Sequence, residues 1–193
     1  MNKLKKILWI TLLGLLFNNL GFSQEDSTIL EIKRDFQEWQ PVIVNEFDDS
    51  ATYFNYAWGK NYQFNKWFNN NQDIDSLTLA QVVSIIERKD LGYFAHVENY
   101  SFSGDWHMKI DYYFNKEEQL YFIFWKMNTF QAEEPLTVEK RMYFDSLGKI
   151  IRDLKNVYKM NTKESIDINF MDREVDYKST LSEMNFYKVW SNE

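Results

Sequence analysis

The 193-residue sequence contains no cysteine, only two prolines and only six glycines. Without cysteine the chain can form no disulfide and offers no thiol for the lipid of a lipoprotein, so the fold must depend on its core. The scarcity of proline and glycine, together with 45% hydrophobic residues, excludes collagen-like repeats and low-complexity linkers and argues against disorder. The length is sufficient for one domain with a substantial core.

Basic residues are outnumbered by acidic ones, and they form no basic patch with interleaved aromatic residues. The sequence has 22 lysines and arginines against 29 acidic residues, which gives a net charge of −7. Removal of residues 1–23, which contain three lysines and no acid, would change this charge to −7 − 3 = −10. Nucleic acids and anionic membrane surfaces are bound through clustered lysine and arginine. We therefore expect no nucleic-acid partner.

The short motifs that carry most catalytic chemistry are absent. The sequence has no Gly-x-Ser-x-Gly elbow, no glycine-rich phosphate loop and no outstanding carboxylate pair for glycoside hydrolysis. Its two histidines, His96 and His107, could join Glu98 and Asp111 at a zinc site, but a surface histidine balanced by Asp111 is the more common arrangement. We therefore predict no catalytic residue, no metal and no cofactor, and we favour a non-enzymatic role.

The first 23 residues have the order of a secretory signal peptide. Three lysines precede an apolar run, residues 7–17, and a polar stretch then ends at the small residue Ser23. The alternative is a membrane anchor, but the run is shorter than the roughly 20 residues that span a bilayer. We predict cleavage after Ser23 and export to the periplasm or the medium. Residues 24–193 would then form a single α+β domain without a membrane span.

Two segments with an offset of 143 − 113 = 30 residues carry nearly the same hairpin pattern. Tyr113–Leu120 and Tyr143–Ile150 both place Tyr-Phe followed by Asn or Asp before a short turn. In the second copy, Asp145 and Gly148 fit a type I turn closed by a glycine bulge. In the first copy Glu118 takes the glycine's place, which is costly for a residue with a Cβ. The repeat predicts two consecutive hairpins.

Another tight turn, at Ser103-Gly104, predicts a hairpin that precedes the two repeated hairpins in the chain. It pairs apolar with apolar and charged with oppositely charged residues, namely Val97–Ile110, Ala95–Tyr112, Glu98–Lys109 and His96–Asp111. Because a slip by one residue would scramble this sorting, the register is well specified.

Strict alternation along the repeated hairpins assigns their apolar residues to one shared face. It gives the pairs Phe114–Leu120, Tyr112–Phe122, Ile110–Phe124, Phe144–Ile150 and Met142–Arg152, with the charged pairs Arg141–Asp153 and Glu139–Lys155 behind them. We predict an antiparallel β-meander of about five to seven strands. Its apolar face would supply most of the stability, at roughly 1.5–3 kcal/mol per large buried side chain.

An amphipathic helix is predicted before the sheet. Apolar residues recur every three or four positions from Ile29 to Phe47, after a capping box at Thr28 and Glu31. Pro41 indicates either a kink or the start of a second helix. We expect the apolar stripe to lie on the apolar face of the sheet.

Three further stretches are less regular. Residues 51–68 are aromatic-rich and fit neither the helical nor the strand period. Residues 165–171 alternate as one more strand would, and residues 179–190 predict a short helix with Leu181, Met184 and Val189 facing inward.

The opposite face of the predicted sheet is rich in aromatic residues with polar tips. It would carry Tyr100, Tyr113, Tyr121, Trp125, Tyr143 and His96. Such side chains suit stacking on a glycan or anchoring a protein partner, which predicts an exported binding module. The structural alternative is a second buried layer, covered by residues 51–78 or by the C-terminal segment. The functional alternative is a small NTF2-like enzyme or small-molecule-binding domain with a pocket between helix and sheet.

The repeated hairpins also resemble a pattern in uncharacterised secreted or periplasmic bacterial proteins. The resemblance rests on Tyr112-Tyr113-Phe114-Asn115, on residues 120–124 and on residues 142–152, and it extends over about residues 93–155. The first copy departs from the pattern because it lacks the glycine. The resemblance implies a small exported β-rich domain of unknown role, and it transfers no catalytic residue.

Overall fold

A computed structural model describes residues 25–43, 51–59, 65–68, 79–101, 103–168 and 174–190. The chain divides into two compact units, Met1–Pro41 and Val42–Glu193. The predicted signal peptide, its cleavage site and Phe47 at the end of the predicted helix lie outside the described residues. None of the described helices combines the length and the apolar character that crossing a bilayer requires.

Helix α1 comprises residues 25–43 of the described chain. Ile29, Ile32 and Trp39 are buried, and they are separated by the multiples of a helical turn that the sequence predicts. The helix continues through Pro41, so the alternative in which it ends near Gln40 is wrong.

In the described part of the second unit, eight strands form one antiparallel sheet. The strands are β1 (Ala51–Gly59), β2 (Asn65–Phe68), β3 (Leu79–Arg88), β4 (Gly92–Tyr100), β5 (Trp106–Phe114), β6 (Leu120–Thr129), β7 (Leu136–Phe144) and β8 (Ile150–Lys159). Their order is β2-β1-β3-β4-β5-β6-β7-β8, so β3 to β8 form a meander of six consecutive strands. The ambiguous stretch 51–68 supplies the two strands beyond β3.

The hairpin of β4 and β5 has the predicted register. Val97 lies opposite Ile110, and His96 lies opposite Asp111. Gly104 in the turn has a φ of 76°, which a glycine adopts without the steric cost that a Cβ brings. The sorting of apolar and charged residues onto opposite faces is therefore confirmed for this hairpin.

The two repeated turns are confirmed as copies of one structure. Asp145 and Lys149 are joined by a backbone hydrogen bond of 2.9 Å, and Asn115 and Gln119 by one of the same length. In each copy the first residue's side-chain oxygen also accepts backbone hydrogen bonds from within the turn. Gly148 has a φ of 76° and Glu118 a φ of 61°, so glutamate adopts the left-handed conformation in the first copy.

One extra residue follows each repeated turn, and it changes the register that strict alternation predicts. Tyr121 and Ile151 have no residue directly opposite, so each forms a β-bulge. Beyond the bulge every pair is displaced by one residue. The predicted pairs Tyr112–Phe122, Ile110–Phe124, Met142–Arg152, Arg141–Asp153 and Glu139–Lys155 are wrong, and the observed pairs are Tyr112–Ile123, Ile110–Trp125, Met142–Asp153, Arg141–Leu154 and Glu139–Asn156.

The displaced register determines which residues of β6 belong to the core. Ile123 and Trp125 are fully buried in the same cluster as Phe114 and Phe144. Phe122 packs instead against aromatic rings on the opposite side of the sheet. The prediction that Phe122 shares one interior with Phe114 and Phe144 is therefore wrong.

The C-terminal segment, residues 174–190, packs on this core face. It contains a 3-10 helix, Leu181–Glu183, and helix α2, Asn185–Trp190. Leu181 is fully buried in the core cluster, and the Tyr112 hydroxyl donates a hydrogen bond of 2.7 Å to the Asp176 carbonyl. The predicted strand at 165–171 is not formed in its described part, where Ser165 makes a single bridge to Tyr158.

Candidate functional site

The second face, meaning the side of β3–β8 opposite the core cluster, carries its side chains in rows that cross the strands. The rows follow from the observed register. The first row is aromatic and consists of Phe94, Tyr113, Phe122 and Tyr143. The second, third and fourth rows are mostly polar. The second row consists of Ser84, His96, Asp111, Phe124 and Arg141, the third of Glu98, Lys109, Lys126 and Glu139, and the fourth of Tyr100, His107, Asn128, Thr137 and Tyr158.

The aromatic row is a buried layer. Successive ring centroids from Phe94 to Tyr113, Phe122 and Tyr143 are 5.1, 5.4 and 4.9 Å apart. All four residues are at most 5% exposed. Burial raises the pKa of Tyr113 far above its ordinary value. The structural alternative of a second buried layer thus describes this part of the face.

The six predicted binding residues are therefore divided between three environments. Tyr113 and Tyr143 belong to the buried aromatic row, and Trp125 lies in the core on the other side of the sheet. His96, Tyr100 and Tyr121 are half-buried on the second face. The structure brings His96 and Tyr100 together, and both contact Glu98, a residue considered in the sequence as a zinc ligand and as the partner of Lys109.

Glu98 is the centre of the polar part of the second face. Its carboxylate accepts hydrogen bonds from His96, Tyr100 and Lys109. These hydrogen bonds, with that of His96 foremost, outweigh burial and hold the pKa of Glu98 well below its usual range. His107 Nε2 lies 3.4 Å from Glu98 Oε2 without hydrogen-bond geometry.

The Tyr100 and His107 rings adjoin this carboxylate. They stack with centroids 4.8 Å apart. Burial, and then the hydrogen bond to Glu98, raises the pKa of the Tyr100 hydroxyl. Tyr100 is therefore a neutral donor at physiological pH, and the stacked pair lies beside Glu98.

His96 is held between two carboxylates. Its Nδ1 lies 2.5 Å from Asp111, and its Nε2 lies 3.1 Å from Glu98. Burial alone would lower the pKa of His96, but the two carboxylates outweigh it and raise the pKa to about 9. His96 is therefore a cation at neutral pH.

Ser84, His96 and Asp111 stand on adjacent strands in the order of a Ser-His-Asp triad. The resemblance to a triad ends there, because Nε2 of His96, which would have to accept the serine proton, is directed at Glu98. Among the described residues, no group of three or more His, Asp or Glu side chains has the geometry to hold a metal ion.

A second polar cluster, centred on the Glu139 carboxylate and formed by β6, β7 and β8, resembles the Glu98 cluster. Tyr158 donates a hydrogen bond of 2.5 Å to Glu139, and Lys126 and Arg141 lie 3.6 and 3.3 Å from the same carboxylate. Burial, followed by the bond to Glu139, raises the pKa of Tyr158 to about 12. Sequence reasoning missed this cluster because the predicted register placed Lys155 opposite Glu139.

No family model, no curated protein and no solved structure matches the chain. The resemblance of the hairpins to exported bacterial proteins therefore remains a prediction. What can be argued about function comes from the second face itself.

The raised pKa of His96 predicts a pH-dependent stability. A histidine with an ordinary pKa of 6.5 in the unfolded chain and about 9 in the folded protein favours folding by roughly 3 kcal/mol, at about 1.4 kcal/mol per pKa unit. This contribution is complete below pH 6.5 and is lost as the pH rises through about 9. We expect the free energy of unfolding in urea to fall over that range.

A matched variant isolates His96 from other groups that titrate at alkaline pH. Asp111→Asn removes the nearest carboxylate, so the pKa of His96 should fall and the alkaline loss of stability should shrink. The imidazole signal of His96, followed by NMR, reports its pKa directly. A His96 that titrates near 6.5 in the wild-type protein would contradict the prediction.

Proposed function

We propose that the protein is an exported, non-enzymatic binding module whose ligand contacts the polar part of the second face. The observation that carries this proposal is the preorganised network centred on Glu98 and Glu139. Each carboxylate is held by a tyrosine hydroxyl and at least one cation. Side chains that are already fixed lose little entropy on binding, and this favours recognition of a ligand.

In this proposal fewer aromatic residues contact the ligand than the sequence pattern predicts. Tyr100 and Tyr121 are half-buried, and His107 stacks on Tyr100. Tyr113, Tyr143 and Trp125 support the surface from beneath or from the core, and we assign them no contact with the ligand.

The proposal also includes export and the finer arrangement of the fold. The N-terminal pattern of lysines, apolar run and small residue supports a mature chain that begins at Gln24. The burial of Ile29, Ile32 and Trp39 supports an amphipathic helix that uses one apolar stripe for packing, as the α+β interpretation expects.

The alternative of a small NTF2-like enzyme has one supporting observation, the His96–Asp111 pair at 2.5 Å. A histidine–carboxylate pair is common in general-base catalysis. A histidine whose pKa is about 9 already carries its proton at neutral pH and is a poor base, so we favour binding.

The test is capture of a ligand from the exported fraction of the native source. The double substitution Tyr100→Ala and His107→Ala removes the stacked pair from the second face. We expect this variant to lose the captured material while its circular dichroism and melting temperature stay close to those of the wild-type protein.

Leu147→Ala is the control, because Leu147 is 90% exposed in a turn away from this face. Equal capture by the wild-type protein and the Tyr100/His107 variant would disprove the proposed surface. Purification of a wild-type chain that retains residues 1–23 from the cytoplasm would disprove export.

A further inference from the structure

We propose that the second face binds an acidic glycan, with a carboxylate group of the glycan seated between Lys109 and Lys126. This inference rests on the proposed binding function and names the ligand class of the same surface. Four features support it: the pairing of charges in one row, the donors that surround the two lysines, the local charge of the two central rows, and the polarity of the rows that contain Glu98 and Tyr100.

Lys109 and Lys126 lie directly opposite each other on β5 and β6. The row on either side of them is complementary, with Glu98 opposite Lys109 and Glu139 opposite Lys126. Like charges directly across a sheet are destabilising. Lys109 and Lys126 are therefore the like-charged pair of this row, and an anion between their ammonium groups would reduce the repulsion between them.

The two ammonium groups retain hydrogen-bonding capacity in the described part of the chain. Lys109 donates to Glu98, and Lys126 Nζ lies 3.6 Å from Glu139, so each is drawn toward the outer side of the row. An ammonium group has three N–H donors. The lysine side chains are 45% and 35% exposed, so a ligand in solvent can reach them.

The neighbouring row adds donors close to the same position. The side-chain oxygen of Asn128 accepts a hydrogen bond of 2.9 Å from Thr137, which leaves the amide N–H groups of Asn128 for another acceptor. Arg141 lies in the row on the other side of Lys126. The surface between the lysines is thus rich in donors, and its nearest carboxylates are already engaged.

The local charge of this surface differs from that of the chain. With His96 protonated, the two central rows hold four cations against three carboxylates, 4 − 3 = +1, while the whole chain, counted with the same histidine charged, carries −7 + 1 = −6. The cations are His96, Lys109, Lys126 and Arg141, and the carboxylates are Glu98, Asp111 and Glu139. These two rows are therefore slightly positive although the chain as a whole is acidic, which favours an anionic ligand here.

The polarity of these rows favours a glycan over a protein. A protein interface has an apolar core that is depleted of charge. The rows of Glu98 and Tyr100 carry charged groups, hydroxyls and an amide instead, which match the hydroxyls and carboxylates of an acidic glycan.

The experiment is calorimetric titration of the protein with oligogalacturonate. We expect the double variant Lys109→Gln and Lys126→Gln to bind at least about tenfold more weakly, because it loses both charged donors to the carboxylate. Replacement of both lysines by arginine should retain binding within a few-fold, because the charge and donors remain. The control is Lys116→Gln with Lys149→Gln, which removes the same charge from two exposed turns.

Three results would overturn the inference. These are equal binding of a neutral cello-oligosaccharide, an equal loss in the Lys116/Lys149 control, and binding of a peptide through its terminal carboxylate without binding of oligogalacturonate. The two proposals fail separately. A ligand captured through Tyr100 and His107 but lacking an anionic group would overturn only the acidic-glycan assignment, whereas a second face that captures nothing would overturn both.

Discussion

Substitution of Gly92 by alanine should destabilise the protein by about 3 kcal/mol or more. Gly92 begins β4 with a φ of 120°, a conformation that residues with a Cβ rarely adopt. A Cβ at this position would clash with the carbonyl oxygen of Phe114, and it would lie 2.6 Å from the Asn115 carbonyl carbon. Because both contacts are with backbone, β4 or the first repeated turn must move.

Gly104 provides the matched control for this prediction. Its φ of 76° is also left-handed, but no atom lies within 4 Å of an added Cβ. Gly104→Ala should therefore cost only about 1 kcal/mol, the conformational penalty alone. Urea denaturation of both variants measures the difference. If both variants lost the same free energy of unfolding, the close approach of Gly92 to the backbone of Phe114 and Asn115 would not constrain the fold.

The sequence was sufficient to predict the turns and the hairpin of β4 and β5 because these features are local. Asp145 and Gly148 specify a turn by their own conformational preferences. The His96–Asp111 and Glu98–Lys109 pairs follow from a short connection at Ser103-Gly104, and the structure confirms them. The part of the polar network that surrounds Glu98 could thus be located from the sequence alone.

The bulges were missed because β6 begins with a run of apolar residues. From Leu120 to Trp125 every residue is apolar or aromatic, so alternation cannot decide which side faces the core. A usable signal lies further along the strand. Lys126 and Asn128 alternate with Met127 and Thr129, and extending this pattern backwards places Trp125 in the core.

The Glu139 cluster could not be predicted for the same reason. Its tyrosine, Tyr158, comes from β8, whose register depends on the bulge at Ile151. A single inserted residue moves Lys155 away from Glu139 and brings Tyr158 within hydrogen-bond distance. A surface that spans several strands therefore requires every intervening register to be correct, whereas a site within one hairpin requires only one.

The bulged register itself can be tested on two consecutive residues of β6. Trp125→Ala should lower the free energy of unfolding by about 3–5 kcal/mol, the usual cost of truncating a buried tryptophan. Trp125 is fully buried, its indole N–H lies 2.9 Å from the Met108 sulfur, and Lys140 lies over its ring at 5.7 Å. Few contacts could be remade around the resulting cavity.

Phe124→Ala is the paired measurement, because strict alternation would exchange the roles of the two residues. Phe124 is half-buried on the second face, and its ring lies 5.5 Å from the Arg141 guanidinium. We expect a loss of roughly 1–2 kcal/mol, since part of the ring already contacts solvent. If Phe124→Ala proved the more damaging variant, Trp125 would belong to the second face, and the arrangement of Lys109, Lys126 and the two glutamates would have to be abandoned.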